Sequence, residues 1–267
     1  MNTIFILCYN EEVLLPHTIK HYKTHLPNST IVIYDNYSTD NSVKIAKEHG
    51  CLVIQWDSNN EINDYRYLTI KNHCWKMVKS GWIIVADMDE WLCITEEDLA
   101  EEEAKNTCIL SVKGYDIVGK SNRYDLTDIS LSDIFPSVYC PEENKNLCFY
   151  RKAVREMNYE PGAHKCKPLF FSNEYTKLAF EKKSLYSKKI YTNKHMNYLG
   201  LKYIIQKMIK RYERSKRMRE QYQLATHYTN NIRDITNRYL HLLRLAILTI
   251  DKILSIFFFV FFAHGIV

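Results

Sequence analysis

The feature that most constrains the fold is a run of four apolar residues that leads directly into two aspartates. Ile83 to Ala86 are apolar, and Asp87 and Asp89 follow with Met88 between them. Such a run is typical of a buried strand in a parallel sheet. Ligands of open α/β sheets bind beyond the carboxyl ends of the strands. We therefore expect Asp87 and Asp89 at the reactive edge of the sheet, where their carboxylates suit Mn²⁺ or Mg²⁺.

The first half of the chain alternates between apolar segments, polar turns and segments with helical spacing. Strands are predicted over four ranges, which are 3–9, 30–34, 51–56 and 82–86. This alternation predicts an α/β fold with a mostly parallel sheet and right-handed crossovers. The strand ends Asn10-Glu11, Asp35-Asn36 and Asp87-Asp89 would then share one edge. Acidic turns gathered there need a cation or hydrogen-bond donors, which favours a nucleotide-type ligand.

An Asp-x-Asp pair at a strand end is compatible with two enzyme chemistries. In nucleotide-sugar glycosyltransferases it holds a metal ion on the diphosphate. In haloacid-dehalogenase-like phosphohydrolases, D-x-D-x-[TV] carries an aspartyl nucleophile. The fifth position here is Trp91, which counts against the phosphohydrolase. A third alternative is a catalytically inactive protein that binds sugars.

Downstream of these aspartates, the sequence predicts more loops than regular elements. Thr95 is predicted to cap an acidic helix over 96–103, to which we assign no catalytic role. The polar range 115–139 is predicted to be a loop region on the acceptor side. His164 and His195 are predicted to lie in loops, where an imidazole can complete a metal shell.

The second charged region is basic and lies near the C-terminus. The range 202–219 is rich in Lys and Arg, and we expect a helix docked on the domain with a solvated basic face. The net charge of the chain is +5. No element that reads or stacks on bases is recognisable, so nucleic-acid binding is not predicted. The apolar ranges 245–250 and 253–263 are predicted to make peripheral contact with a membrane.

The sequence also predicts the cellular compartment of the protein and its division into domains. The eight cysteines are scattered without a C-x-x-C pair, and we expect reduced thiols. The N-terminus does not resemble a signal peptide, so a cytoplasmic, possibly membrane-associated protein is expected. We expect a catalytic domain over 1–198 and a basic and apolar helical extension over 199–267.

Three motifs, taken together, resemble those of GT-A fold glycosyltransferases. Residues 8–12 (C-Y-N-E-E), 33–40 (I-Y-D-N-Y-S-T-D) and 86–92 (A-D-M-D-E-W-L) are similar to the family's N-E-E, Y-D-N-x-S-x-D and D-x-D-E-[FW]-[LI] motifs. The resemblance is to the family 2 and family 92-like branch, which includes viral members. The segments around His164 and His195 resemble the family's G-x-H and H-Y elements, with Met196 in place of the Tyr.

The resemblance implies a Rossmann-like GT-A fold and roles for particular residues. Asp35 and the turn from Tyr9 through Asn10 to Glu11 would hold the base and ribose of a nucleotide-sugar, with a UDP-sugar expected. Asp87, Met88 and Asp89 would contact the donor and its Mn²⁺ or Mg²⁺. The further metal ligand would be His164, with His195 as the alternative, and Arg66 would meet the donor phosphate.

The implied reaction is an inverting transfer to a glycan, protein or lipid acceptor. Such a transfer passes through a transition state with oxocarbenium character. A metal ion would stabilise charge on the leaving diphosphate. A carboxylate base would take the proton of the acceptor hydroxyl. Glu160 and Asp116 are the candidates for this base.

Overall fold

The computed structural model of the protein describes the backbone of residues 1–134 and 136–263, and their side chains up to residue 250. The predicted alternation of strands and helices is present in the first part of the chain. In chain order its elements are β1 (Thr3–Cys8), α1 (Leu15–His25), β2 (Thr30–Asp35), α2 (Ser42–Glu48), β3 (Leu52–Gln55), α3 (Asp64–His73) and β4 (Trp82–Asp87).

The second part of the chain adds mostly antiparallel strands and then three consecutive helices. Its elements are β5 (Glu90–Cys93), α4 (Glu96–Ala104), β6 (Ile109–Ser121), β7 (Ser137–Tyr139), β8 (Cys148–Tyr150), β9 (Val154–Glu156), β10 (Leu169–Phe170), α5 (Glu174–Glu181), β11 (Tyr186–Gly200), α6 (Leu201–Arg214), α7 (Lys216–Tyr222) and α8 (Ile232–Ala263).

The main sheet has the strand order β3-β2-β1-β4-β8-β6-β11-β5, and β7 pairs with β6. Strands β1 to β4 pair in parallel, and so do β6 and β11. Strands β5, β7 and β8 join antiparallel to their neighbours. The predicted α/β class, with a parallel sheet at its centre and helices on its faces, is confirmed. The parallel order brings the ends of β1, β2 and β4 to one edge.

The core explains why these segments form strands. All of β1 is buried, and β4 is buried from Trp82 to Ala86, because both strands have helices or strands packed on each face. Pro16 occupies the first turn of α1, where its missing N–H costs no hydrogen bond. Gly50 follows α2 with a φ of +70°, a left-handed conformation that glycine adopts readily at the end of a helix.

The loop prediction for His195 is wrong and that for 115–139 is wrong in part, because polar residues there belong to strands. The range 115–139 was expected to be a loop, but β6 continues to Ser121 and β7 covers Ser137–Tyr139. His195 lies inside β11 and not in a loop. Both strands alternate polar and apolar side chains over parts of their length, and pairing with each other satisfies their backbones. The sequence also predicts a helix over 62–79, whereas α3 begins at Asp64 and ends at His73.

Helices α6 and α8 pack against each other and against β6. Ile235 and Tyr239 of α8 contact Ile204 and Met208 of α6 in a small apolar cluster. The Tyr239 hydroxyl donates a hydrogen bond to the Gly119 carbonyl at 2.7 Å. The division into 1–198 and 199–267 stays a prediction.

The predicted membrane contact through 245–250 and 253–263 also stays a prediction. The side chains of 251–263 and all of 264–267 lie outside what the structure describes. In the described part of the chain, no helix is long and apolar enough to cross a bilayer.

Candidate active site

A cavity of about 530 Å³ lies beyond the carboxyl ends of β1 and β4. Its wall is formed by the turns after these strands, by β6 and β11, and by α6. It therefore lies where the topology of the sheet predicted a ligand. The predicted site residues that line it are Tyr9, Asn10, Glu11, Asp87, Met88, Asp89, Asp116, His164 and His195.

The turn that carries the two aspartates is fixed by hydrogen bonds. The Asp87 backbone N–H donates to the Glu90 carboxylate at 2.7 Å. From α1, the Thr18 hydroxyl donates to the Met88 carbonyl and the Tyr22 hydroxyl to the Glu90 carbonyl, each at 2.9 Å. The aspartates thus project from a turn that is anchored both to itself and to a neighbouring helix.

Asp89 is buried and surrounded by cationic side chains. Its Oδ2 atom lies 2.6 Å from the Lys207 Nζ and 3.2 Å from an Arg211 nitrogen, both on α6. The His195 Nε2 lies 3.6 Å from the same oxygen. Burial raises the pKa of Asp89, but the charges of Lys207 and Arg211 outweigh it and hold the pKa well below its usual value. The carboxylate is therefore ionised and neutralised by the protein itself.

Asp87 has a different environment, although it is only two positions away. Its Oδ2 accepts a hydrogen bond from the Lys71 Nζ at 2.8 Å, and its side chain is 37% exposed. Burial raises its pKa, while the nearby charges of Lys71 and Lys145 lower it by more. Asp87 is thus an ionised carboxylate that a ligand in the cavity can reach.

A second buried ion pair lies behind Asp87. The Lys145 ammonium contacts the Glu90 carboxylate and lies 3.1 Å from Glu143. All three side chains are nearly inaccessible. Removing one of these side chains would leave a buried charge without a partner. The three residues line the cavity, and their ion pairs hold this part of its wall in place.

The register of three strands brings His195 next to Asp116. His195 pairs with Asp116 of β6 on one side and with Glu90 of β5 on the other. The His195 Nδ1 lies 2.7 Å from an Asp116 oxygen. Burial lowers the pKa of His195, but the charge of Glu143 and the hydrogen bonds to Asp116 and Asp89 raise it to about 10. At neutral pH His195 is an imidazolium that donates to Asp116 and lies near the Asp89 carboxylate, at 3.6 Å.

The sequence comparisons with known proteins cover less than half of the chain. Residues 3–101 match the sequence model of the family described as glycosyl transferase family 2. Protein RfbJ of Shigella flexneri is 36% identical over 50 residues, which are 19% of this chain and 39% of RfbJ. This chain therefore covers well under two thirds of that relative.

Two crystal structures of S. aureus TarS also align with the fold. One is 13% identical with a TM-score of 0.45, and covers 78% of this chain and 39% of that chain. The other, TarS 1–349 in complex with UDP, is 13% identical with a TM-score of 0.44 and covers 84% and 73%. Because both TM-scores are below 0.5, we draw no argument from these two structures, and the relation to a known family rests on the match of residues 3–101.

Residues 3–101 carry the family 2 sequence pattern. The predicted resemblance to family 2 is confirmed for this segment, and the family 92-like and viral relationship stays a prediction. The family 2 segment includes Tyr9, Glu11, Asp87 and Asp89, which all line the cavity. The cations that contact Asp89 come from outside it, since Lys207 and Arg211 lie on α6.

The surroundings of Asp89 do not fit a divalent cation in the arrangement that the structure describes. An ion on Asp89 Oδ2 would lie roughly 4 Å from the Lys207 ammonium, where repulsion is on the order of 8 kcal/mol at an effective dielectric constant of about 20. Within the described residues, no group of three or more His, Cys, Asp or Glu side chains is arranged to hold a metal ion. The predicted Mn²⁺ or Mg²⁺ stays untested.

The two histidines predicted as metal ligands are placed differently. His195 is adjacent to Asp89, whereas the His164 Nδ1 lies 2.7 Å from the Glu142 carbonyl. No hydrogen bond or ion pair between His164 and Asp87 or Asp89 is present in the part of the chain that the structure describes. Of the two, the alternative His195 is the one that the fold brings to the aspartates.

Of the residues predicted to hold the base and ribose, Tyr9, Asn10 and Glu11 line the cavity, whereas Asp35 does not. The Asn10 backbone adopts a φ of +52°, and its N–H donates to the Ser38 hydroxyl at 2.9 Å. The Arg214 guanidinium lies over the Tyr9 ring, 3.3 Å from its centre. Asp35 is fully buried behind this turn, where it accepts from the Ser38 N–H, and it does not line the cavity.

Arg66 and Glu160 do not line the cavity, contrary to their predicted roles. Arg66 lies exposed in the first turn of α3 and donates to the Asp57 carbonyl. Glu160 pairs at 2.9 Å with Lys167, whose side chain is 81% exposed. Asp116 is therefore the better placed of the two candidates for the base.

The sequence analysis missed the basic side chains of α6, which it assigned to a solvated face. Lys207 is buried together with Tyr203, Ile204 and Met208. A signal was available, because Lys207 and Arg211 follow Tyr203 at intervals of four and so extend the buried stripe of the helix. A cation on the apolar face of a helix needs a buried anion, and Asp89 is that anion.

Proposed function

We propose that the protein is a glycosyltransferase that moves a sugar from a nucleotide-diphospho-sugar to an acceptor hydroxyl. The observation that carries this proposal is the placement of Asp87 and Asp89. They belong to the family 2 segment and lie in a cavity at the ligand-binding edge of the sheet. The donor that we expect is a UDP-sugar, and the acceptor is a glycan, a protein or a lipid.

The charges of the cavity support an anionic donor. Lys210, Arg214 and Arg238 line it, and none of them forms an ion pair with a carboxylate of the described residues. Within the described residues, Lys210 donates to the Tyr124 hydroxyl at 3.1 Å, and Arg214 donates to the Asn60 carbonyl at 3.2 Å. Cations that have no protein anion are suited to the phosphates of a ligand.

Two buried polar atoms in the cavity wall also support a ligand. The Tyr203 hydroxyl and the Asn197 Oδ1 have no hydrogen-bond partner among the described residues, although both side chains are buried. Leaving such a group unpaired costs about 1–3 kcal/mol. Sugar hydroxyl groups can pair with both atoms, since each hydroxyl donates and accepts.

The proposed reaction is an inverting displacement at the anomeric carbon. The bond from this carbon to the diphosphate oxygen breaks, and its electron pair remains on the diphosphate. A bond to the acceptor oxygen forms on the opposite face, and Asp116 takes the hydroxyl proton. His195 holds the Asp116 carboxylate in place through the 2.7 Å contact. The inverting course and the base are proposals.

The phosphohydrolase alternative requires Asp87 as a nucleophile. No observation favours it, since Asp87 is held by Lys71 and the match to family 2 includes this strand. Trapping of an aspartyl-phosphate or of a fluoroberyllate adduct on Asp87 would replace the present proposal.

The proposal is tested with a panel of UDP-, GDP-, dTDP- and CMP-activated sugars. We expect release of the nucleotide from one class of donor, and protection of the protein from thermal unfolding by the same nucleotide. Asp87→Asn should abolish release while the far-UV spectrum is unchanged. Asp125→Asn, in an exposed ion pair with Arg123, is the matched control and should retain activity. Absence of both release and protection across the panel would overturn the proposal.

A further inference from the structure

The position that a metal ion would take at Asp89 is already filled by a cation of the protein. The Lys207 Nζ lies 2.6 Å from the Asp89 Oδ2, and the Arg211 guanidinium lies 3.2 Å from the same atom. The Lys207 and Asp89 side chains are 7% and 4% exposed. This contact is therefore a buried ion pair and not a surface contact that exchanges freely with water.

The cations of α6 also face the ligand space. Lys207 and Arg211 line the cavity together with Lys210 and Arg214 of the same helix. Arg211 further approaches Glu11, at 3.9 Å, on the opposite wall. The helix thus presents four cationic side chains to one cavity, and Asp89 neutralises only part of this charge.

We propose that Lys207, assisted by Arg211, supplies the positive charge that neutralises the donor diphosphate, so that binding and transfer need no divalent cation. In this arrangement Asp89 positions the Lys207 ammonium, and the ammonium faces the diphosphate oxygens. As the bond to the anomeric carbon breaks, the electron pair stays on the diphosphate, next to Lys207 and Arg211. The acceptor proton goes to Asp116. This inference rests on the proposed function for the identity of the donor.

The first test uses the wild-type protein and needs no variant. Binding of Mn²⁺ to the protein is followed by the loss of the free-ion electron paramagnetic resonance signal. Binding of pyrophosphate is measured by calorimetry in EDTA and again in Mn²⁺. We expect no stoichiometric Mn²⁺ binding, and a pyrophosphate affinity in EDTA within threefold of that in Mn²⁺. One Mn²⁺ per chain, lost in Asp89→Asn, would overturn the inference.

The second test removes the charge of Lys207. Lys207→Met should weaken pyrophosphate binding in EDTA by tenfold or more, while Lys207→Arg should recover most of it. Lys202→Met, on an exposed position of the same helix, is the matched control and should bind like the wild type. Unchanged affinity in a folded Lys207→Met, verified by circular dichroism, would overturn the inference.

These tests separate the inference from the proposed function. Pyrophosphate and Mn²⁺ binding do not require that a nucleotide-sugar be turned over. Pyrophosphate bound through Lys207 without any donor turnover would support the inference and count against the glycosyltransferase. Turnover that requires Mn²⁺, with Lys207→Met as active as the wild type, would support the glycosyltransferase and overturn the inference.

Discussion

His195 holds the carboxylate of Asp116, the candidate base, in the cavity wall. Asp116 lies in the cavity wall, and the His195 imidazolium fixes one of its oxygens at 2.7 Å. His195 also approaches Asp89, at 3.6 Å. A single imidazolium thus links the candidate base to the carboxylate that positions the cations of α6.

Asp116→Asn tests the role of the base. Because an amide cannot accept the proton, we expect kcat for transfer to fall by about 10²- to 10⁴-fold, while the dissociation constant of UDP changes little. Steady-state kinetics and calorimetry measure the two effects. Asp125→Asn is again the matched control. A kcat within threefold of the wild type would exclude Asp116 as the base.

His21 does not line the cavity, and its partly buried imidazole makes the stability of the protein depend on pH. It stacks on Trp91 with ring centres 5.0 Å apart, and its Nε2 lies 3.0 Å from the Leu92 carbonyl. Burial lowers the pKa of His21 to about 4, although the contact with the Leu92 carbonyl raises it. The unfolded chain binds the proton near pH 6.5 and the folded chain only near pH 4, so stability is lost as pH falls between these values.

His21→Phe should therefore flatten the acid side of the stability profile. Phenylalanine preserves the stacking and does not titrate. Between pH 7.5 and pH 5, we expect the wild type to lose about 1–2 kcal/mol more than the variant. Urea unfolding at the two pH values measures the difference. Parallel losses in both proteins would show that His21 is protonated in the folded state.

At the scale of single elements, the first four strands and the cap of α4 follow directly from the sequence. Thr95 accepts from the Asp98 N–H at 3.2 Å, and the Asp98 carboxylate accepts from the Thr95 N–H at 3.1 Å. This reciprocal pair is the capping box that the spacing of Thr and Asp predicts. Local hydrogen bonds of this kind can be predicted because both partners lie within one turn.

Thr95→Ala should destabilise the protein by about 1 kcal/mol, because the Asp98 N–H at the start of α4 loses its acceptor. Denaturant unfolding measures this loss. Thr69→Ala is the matched control, since Thr69 is an exposed residue inside α3 and, within the described residues, its hydroxyl donates only to the Tyr65 carbonyl. Alanine should be neutral or slightly stabilising there. Equal losses in both variants would contradict the capping role.

Long-range pairings mark the limit of sequence-based prediction. The edge of β1, β2 and β4 was predicted because apolar runs end there in polar turns. The pairing of β6 with β11 was not predicted, because its strands are partly polar and lie far apart in the chain. The contact between Lys207 and Asp89 was missed for the same reason. Only the fold shows which buried anion a basic helix meets.

At the scale of the whole molecule, α8 supports the helix that carries the cations of the cavity. Ile235 and Tyr239 pack on Ile204 and Met208, on the same helix as Lys207. The buried face of α6 therefore has the sheet on one side and α8 on the other. Loosening α8 should displace α6, and with it the side chains that contact Asp89.

Ile235→Ala should cost about 2–4 kcal/mol, because it leaves a cavity in this cluster. We also expect weaker binding of UDP, because α6 becomes less firmly placed. Denaturant unfolding and calorimetry measure the two effects. Ile232→Ala is the matched control on the same helix, since Ile232 is 54% exposed. A stability loss without any change in UDP affinity would show that α8 does not hold α6 in place.

The ion pair between Asp89 and Lys207 joins residues that are 118 positions apart. On the ribosome, the sheet edge with its carboxylates emerges long before the helix that neutralises them. Until that helix is synthesised, the Asp89 carboxylate lacks the Lys207 ammonium and the Arg211 guanidinium that pair with it. The charge of Asp89 is therefore balanced only after the C-terminal part of the chain has been synthesised.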